Sequence, residues 1–463
     1  MKNKIIILSI LFGGIFTACD DFLKELPSYA LPPEESITSI DDLELAVNGV
    51  LSYSVNREYY GGDFIAYADL KGSDCYSIAT NNQISPIGRY THDQYSSYVV
   101  GYYARGYQML ARINEILIHV PNLPAGTDRD ELEGELYALR GLVHFDMARL
   151  FAKLPTVATD LNAANSGIPI CDQVFPVDHK PVRATLSQTY NLILEDFTKS
   201  LTLLEATATP KTNGRIGYWS AKGLRARAYL YLGRNNDALA DANDVITRSP
   251  YKLLERADYV GSWIREGVSE TIFEILTTSL YNAQRNSIGY YCASAGYGEI
   301  AMRDEFREFI NAIPGDVRAG IIVEEAGTYP GYYPKKHPGR SSLYENNLRV
   351  IRLNEVYLIA AEAAVKGGTA SGAGSAADYI NTLLSKRIEG YTNVTSVTLD
   401  NILDERRKEL FSEGHMCWDM WRNGRTVNNH TRGVVANTDN LCILPFPQRE
   451  IDLSSELMQN PGY

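Results

Sequence analysis

RIGYWSAKGLRARAYLYLGRNNDALADANDVITRSPY, residues 215–251, decides the fold class. It reads as two helices joined by the turn GRNND. Small residues stand where two helices must approach closely: Ala226 in the first, Ala238 and Ala242 in the second. Gly233 makes the turn and Pro250 follows the second helix. The order Ala226, Tyr229, Gly233, Ala238, Val245, Pro250 has tetratricopeptide spacing. Such a hairpin cannot bury its apolar face alone, so the chain must stack further hairpins against it.

Working outward, other stretches repeat the helical period. In ELEGELYALRGLVHFDMARLFAKLP, Leu132, Leu136, Leu139, Val143, Met147 and Leu150 follow one face, and Pro155 marks the stop. In LRVIRLNEVYLIAAEAAVKGG, Val350, Leu353, Val356, Ala360 and Ala363 do the same, and Gly367 and Gly368 close the helix. Hairpins are expected over about 101–151, 186–250 and 349–415. Tyr98, Tyr102, Tyr103 and Tyr107 recur at helical spacing and are expected inside, as are Trp418 and Trp421. The charges from Asp404 to Glu409 are expected to form a solvated, ion-paired helix face. Period-two alternation is scarce. The expected fold is mainly α: tetratricopeptide-like hairpins forming a scaffold, with long loop-rich insertions and few short strands. Those insertions lie at about 52–98, 154–185, 251–345 and 416–463, and the ligand region is placed at about 52–98 and 251–345.

The first residues concern location. Lys2 and Lys4 precede an apolar run, Ile5 to Phe16, and Thr17 and Ala18 lead into Cys19. This is the layout of a signal peptide over residues 1–18. The run is too short to span a bilayer, which takes about 20 residues. Its small-small-Cys ending resembles a bacterial lipobox, with Cys19 as the lipidated first residue of a chain running 19–463, and residues 19–40 as an acidic, Pro-rich tether. Without residues 1–18, Lys and Arg fall from 44 to 42 against 56 acids, a net charge of −14. Such a surface repels nucleic acid, and no basic patch offsets it. The five cysteines after Cys19 include no CxxC pair, and no His/Cys cluster has metal spacing, so neither a disulfide framework nor a metal or other cofactor is expected. No calcium-loop spacing is present. GGTASGAGSAA lacks the Lys-Ser/Thr of a P-loop and reads as a connection between helices. His415 and Cys417, two apart on a helix, point to different sides and do not make a nucleophile pair.

Four blocks together carry a resemblance. They are CDDFLKELP; the pair LRGLVHFDMARLFAKLP and AKGLRARAYLYLGRNNDALADANDVI; LRVIRLNEVYLIAAEA with ILDERRKELFSEGHMCWDMWRNG; and ILPFPQREIDLSSELMQNPGY. In content and order they resemble the SusD/RagB family of nutrient-binding lipoproteins of the Bacteroidetes outer membrane. The resemblance implies a SusD-like fold and a non-enzymatic protein, lipid-anchored at the outer membrane and exposed on the cell surface. It further implies an oligosaccharide or peptide ligand and a partner, a SusC-like TonB-dependent β-barrel transporter, on which the protein sits as a lid.

Capture of a glycan needs flat apolar faces for sugar C–H groups and polar rims for hydroxyls, and tyrosine supplies both. There are 31 tyrosines. Two loops are rich enough to consider, and the resemblance implies that loops in equivalent positions hold the ligand. The first, residues 68–98, offers Asp69, Asp74, Tyr76, Arg89, Tyr90, His92 and Tyr95; the second, residues 279–299, offers Tyr281, Tyr290, Tyr291 and Tyr297. TYPGYYPKKHPGRSSLY, residues 328–344, is a lesser candidate. All four tryptophans lie outside the two favoured loops; the resemblance implies that a starch platform leans on tryptophan as well as tyrosine, which points away from starch and leaves other glycans and peptides open. Two rival readings stand beside this one. A tetratricopeptide adaptor would bind proteins alone. A surface glycoside hydrolase would need two carboxylates across a cleft, and nothing in the setting of a pair such as Asp69 and Asp74 singles it out.

Overall fold

A computed structural model describes residues 37–79, 83–208 and 214–463. The expected signal peptide, Cys19 and most of the expected tether lie outside the described residues. Helices of seven residues or more are numbered here in chain order. They are α1 (Ile40–Tyr53), α2 (Asp63–Leu70), α3 (Ser97–Leu117), α4 (Thr127–Phe151), α5 (Leu186–Leu204), α6 (Tyr218–Tyr231) and α7 (Asn235–Arg248). There follow α8 (Asp304–Asn311), α9 (Leu353–Val365), α10 (Ala376–Ser385), α11 (Leu399–Leu410) and α12 (Met416–Arg422). Side chains mark several starts: Ser39, Thr185, Ser375 and Thr398 each cap a helix, with Asp42, Gln188, Asp378 and Asn401 reaching back.

The hairpin read from residues 215–251 is α6 and α7. Gly233 turns the chain at φ +71°, a left-handed conformation that strains any residue with a Cβ. Ala226, Ala238, Ala242 and Val245 are fully buried, so the two backbones close on each other without intervening bulk. Arg225 forks onto Asp241 at 2.7 and 2.9 Å along the outer seam. The packing then continues sideways: α4 runs along α5, α5 meets α6, and α7 meets α9, which in turn packs on α10 and α11. From Leu136 onward α4 is buried on nearly every face, so it is the helix the others wrap.

Strands are few and short, as the lack of alternation requires. The described residues form four two-stranded antiparallel ribbons: β1 (Cys75–Tyr76) with β3 (Ala301–Met302), β2 (Thr271–Ile275) with β6 (Leu348–Arg352), β4 (Ile322–Glu325) with β5 (Gly331–Pro334), and β7 (Val427–Asn429) with β8 (Gly433–Val435). β2 (Thr271–Ile275) and β6 (Leu348–Arg352) are buried throughout and join the 251–345 insertion to α9. Trp418 and Trp421 are core residues, as expected. Trp418 stacks on Tyr67 at 5.4 Å, with the Arg149 guanidinium 4.3 Å above its ring. Tyr98, Tyr102 and Tyr103 are buried and Tyr107 is half-buried.

Within the loop-rich stretch 52–98 a five-residue π-helical turn, Arg57–Gly61, leads through Gly62 into α2, and Asp69 lies on that helix. One expectation is corrected. The charged run in α11 is ion-paired but not solvated, for Glu405, Arg406, Lys408 and Glu409 are all buried. Their partners arrive from distant segments. Arg387 reaches both Glu270 (2.8 Å) and Glu409 (3.0 Å), Arg318 joins Asp316 (2.6 Å) and Glu405 (2.8 Å), and Arg352 joins Glu270 (2.7 Å) and Glu413 (2.6 Å). Lys336 adds a second cation on Glu413 at 2.6 Å. This network fastens the 251–345 insertion to the helical scaffold.

Residues 443–463 close the other end. The Leu444 amide donates to the Leu150 carbonyl at 2.7 Å, and Asn460 Nδ2 donates to the Phe151 and Leu444 carbonyls at 2.8 and 2.7 Å. Terminal carbonyls of α4, which have no partner within the helix, are satisfied in this way.

Candidate ligand-binding groove

An open groove of about 670 Å³ lies where the second tyrosine-rich loop meets the π-helical turn and α3. Asn56, Arg57 and Glu58 form one side, Arg105 extends it, residues 282–286 form the other, and Tyr297 and Tyr344 close the end.

Local sequence explains the aromatic end. The Ser287 hydroxyl accepts the Tyr290 amide at 3.3 Å and starts a single helical turn, Ile288–Tyr291. The chain then doubles back, and the Tyr297 amide donates to the Tyr290 carbonyl at 2.9 Å. Tyr297 therefore meets the Tyr290 ring edge to face, with centroids 4.8 Å apart, and Tyr344 lies 5.5 Å from Tyr290 on another side. Pairs of this geometry add about 1 kcal/mol beyond their burial, enough to hold the rings in place. The opposite wall is shaped by Asn282. Its Oδ1 accepts the Gln284 amide at 2.8 Å while its Nδ2 donates to the Thr278 and Ser279 carbonyls at 2.8 and 3.2 Å. Gln284 is held at φ +51°, a left-handed position for a residue with a side chain. Tyr281 donates its hydroxyl to the Ser52 carbonyl at 3.1 Å, tying the loop to the end of α1.

A buried polar layer supports the floor. The Asp63 carboxylate accepts Arg57 Nε at 3.0 Å and the Tyr291 hydroxyl at 2.8 Å. Burial pushes the Asp63 carboxyl up to about 7, with Arg57 pulling the other way. Arg57 also donates to the Gln83 carbonyl at 3.2 Å, and Arg105 faces Glu58 at 3.5 Å. The result is a wall of tyrosine faces beside a rim of guanidinium, amide and carboxylate groups. That is the chemistry a hydroxyl-rich, partly apolar ligand requires.

The structure divides the sequence candidates. Tyr290 and Tyr281 adjoin the groove, and Tyr291 lies beneath it, fully buried. The first loop borders the groove, where Gln83 meets Arg57, but supplies none of its lining, and four of its candidate side chains are enclosed. Asp69 accepts the Ser412 and Gly414 amides at 3.2 and 3.0 Å and fixes the turn between α11 and α12. Burial pushes its carboxyl up to about 7, against those two amides. Asp74 is gripped by Arg407 at 2.6 and 3.2 Å. Tyr90, at φ +57°, turns inward and donates to the Lys71 carbonyl at 2.6 Å, with the Lys71 ammonium 4.5 Å over its ring. His92 meets the Tyr463 hydroxyl at 2.8 Å, and burial lowers its pKa to about 2, so the ring is neutral. These four side chains are supports and present no ligand face. Tyr76 is half-buried against His430, ring centroids 4.7 Å apart; Arg89 is half-buried; Tyr95 is exposed.

The groove also uses residues that the sequence did not single out: Asn56, Arg57, Glu58, Arg105, Gln284, Arg285 and Asn286. Tyr344 ends the third tyrosine cluster and lines the groove together with Arg285.

Comparison with known proteins places this architecture. A family model described as "Starch-binding associating with outer membrane" matches residues 21–230, and one described as "SusD family" matches residues 318–463. The chain is similar to a SusD superfamily protein from Bacteroides vulgatus ATCC 8482, with 31% identity, 92% of this chain and 100% of that one covered, and a TM-score of 0.85. It is also similar to a SusD superfamily protein from Bacteroides thetaiotaomicron VPI-5482, at 28% identity, 91% and 100% coverage and a TM-score of 0.84. The fold is shared with surface glycan-binding protein A from Bacteroides thetaiotaomicron, solved in complex with laminarihexaose: 19% identity, 91% and 100% coverage, TM-score 0.74. With both ends matched and 31% identity across the whole of a solved relative, the chain belongs to the SusD family.

Proposed function

We propose that the protein captures a glycan in the groove between the π-helical turn and residues 282–297, performs no chemistry on it, and passes it to a SusC-like TonB-dependent β-barrel transporter. A lipid on Cys19 holds it at the outer membrane, on the cell-surface side. The observation that carries this reading is the pair Tyr297 and Tyr344, both packed on Tyr290, beside the polar rim of Arg57, Gln284 and Arg285. Tyr faces cover sugar C–H surfaces, and guanidinium and amide groups bond hydroxyls, in a groove of the size that small ligands occupy. The laminarihexaose bound by a relative of the same fold and the starch-binding description of the family support an oligosaccharide over a peptide.

Within this reading Tyr281, Tyr290 and Tyr297 contact or frame the ligand, and Tyr291 positions them through Asp63. Asp69, Asp74, Tyr90 and His92 shape the neighbouring surface from within. Tyr76 and Arg89 lie outside the groove lining.

The test is binding of residues 20–463 to a panel of polysaccharides and peptide digests, with Tyr297→Ala and Arg285→Ala. Both side chains stand at the groove surface, so each change should cut glycan affinity about tenfold; Arg285→Ala should leave the melting temperature unchanged, while Tyr297→Ala should lower it slightly through the lost ring contacts. Glycan binding indifferent to both changes would move the site elsewhere. Binding of peptides alone would overturn the ligand class. Recovery of a β-barrel transporter with the full lipidated chain tests the delivery step.

A further inference from the structure

A second cavity, of about 410 Å³, lies between the connection from α4 to α5 and the segment 443–463. It shares no lining residue with the groove. Arg183 forms part of its wall. This side chain is more than nine-tenths buried, yet no carboxylate lies within reach of it among the described residues. By contrast Arg140, Arg227, Arg318 and Arg422, buried as deeply, each face a carboxylate. Arg183 Nε donates to the Gly167 carbonyl at 2.9 Å and Nη1 to the Met458 carbonyl at 3.2 Å, and no protein acceptor for Nη2 is found among the described residues. The Phe446 ring, 4.8 Å away, holds the guanidinium plane in place.

A buried cation without an anion is costly unless something supplies the charge. Burial lowers the Arg183 pKa to about 10, the response of a guanidinium that lacks its counter-ion. Lys153 stands exposed on the rim of the same cavity and also has no ion pair there. The one acid in the lining, Asp160, turns an oxygen back to its own loop, accepting the Asn162 amide at 2.8 Å. Leu186 and Ile443 add an apolar wall.

We propose that this cavity is a binding site for a carboxylate attached to a compact, partly apolar body, with Arg183 Nη2 and Lys153 receiving the anion. A hexuronate unit of an acidic glycan and the free terminus of a short peptide share that chemistry. The site is separate from the capture groove and does not depend on the function proposed for it.

Calorimetric titration of the purified chain with galacturonate, galactose and N-acetylleucine tests it. Galacturonate should bind at least about tenfold more tightly than galactose, its neutral counterpart, because a charge-assisted hydrogen bond separates the two. Arg183→Gln should remove that preference. Lys153→Glu, at an exposed position that leaves packing untouched, should weaken galacturonate about tenfold and carries the test if the Arg183 variant fails to fold. Tyr297→Ala should leave galacturonate binding unchanged. N-acetylleucine binding without galacturonate binding would keep the carboxylate site and assign it to peptide termini. Equal binding of galacturonate and galactose, binding indifferent to Lys153→Glu, or no binding of either carboxylate would overturn the proposal.

Discussion

Replacing Glu409 by Gln should remove one of the strongest ties between the ligand-bearing insertion and the helices. Glu409 has no exposure to solvent. Its oxygens accept Arg387 Nε at 3.0 Å, Asn354 Nδ2 at 2.7 Å, the Tyr259 hydroxyl at 3.2 Å and Arg318 Nη1 at 3.4 Å. Burial alone would raise its pKa, but Arg387, Arg318 and Arg352 outweigh that and lower it from 4.5 to about 2. A depression of that size is worth about 3 kcal/mol at neutral pH, at about 1.4 kcal/mol per unit. The figure agrees with the roughly 3–5 kcal/mol lost when one member of a buried ion pair is removed. Arg387 keeps Glu270 and Arg318 keeps Asp316 in the variant, so the loss should sit near the lower end. The sign with pH follows. A carboxyl depressed in the folded state contributes its full stability above about pH 4.5 and loses it as pH falls toward 2. Urea unfolding followed by tryptophan fluorescence should therefore show a gap of about 3 kcal/mol between the two proteins at pH 7, narrowing below pH 4. A gap under about 1 kcal/mol at pH 7, or one that does not narrow in acid, would refute the assignment of a net stabilising role to this carboxylate.

Asp63 should behave in the opposite way. Its carboxyl is raised to about 7, so it contributes most below about pH 4 and destabilises progressively as pH rises through 7. Denaturant titrations between pH 4 and 8 should show that slope in the native chain and its loss in Asp63→Asn. Gly233→Ala should cost about 1–2 kcal/mol in unfolding free energy, all of it from the left-handed backbone. A Cβ there would meet only Thr156 Cγ2, at 3.8 Å. Thiol titration of residues 20–463 should find Cys171 reacting first, since it alone among the described cysteines is not buried. Its own pKa is raised to about 11 by burial, so even this reaction should be slow at pH 8.

The helical scaffold was legible because its signals are local. Ala226 and Ala238 announce a close helix crossing wherever the rest of the chain goes, and Trp418 and Trp421 at helical spacing announce a core face. The candidate site was partly legible for the same reason. Residues 281–297 form their own turns, and of the tyrosines read there Tyr297 lines the candidate groove, Tyr281 and Tyr290 stand next to it, and Tyr291 is buried. Arg57 and Arg105 come to it from other segments and carry no mark of doing so. Tyr90 and Tyr290 look alike in sequence, each in a short turn near glycine, but Tyr90 is rolled inward beneath Lys71 while Tyr290 supports Tyr297. The charges of α11 fail as a surface prediction on similar grounds. A helix carrying Glu405, Arg406, Lys408 and Glu409 reads as solvated until Arg318, Arg352 and Arg387 arrive from elsewhere to pair it.

The lock formed by residues 443–463 bears on how the chain is made. A ribosome delivers α4 some three hundred residues before the amides that satisfy its last carbonyls. Until Leu444 and Asn460 have been synthesised, Leu150 and Phe151 present bare acceptors, and Phe151 lacks the stacked Phe446 ring that covers it at 5.6 Å. Products of translation interrupted before residue 444 therefore keep this end of the bundle open to proteases, and the arrival of residues 444–460 seals it.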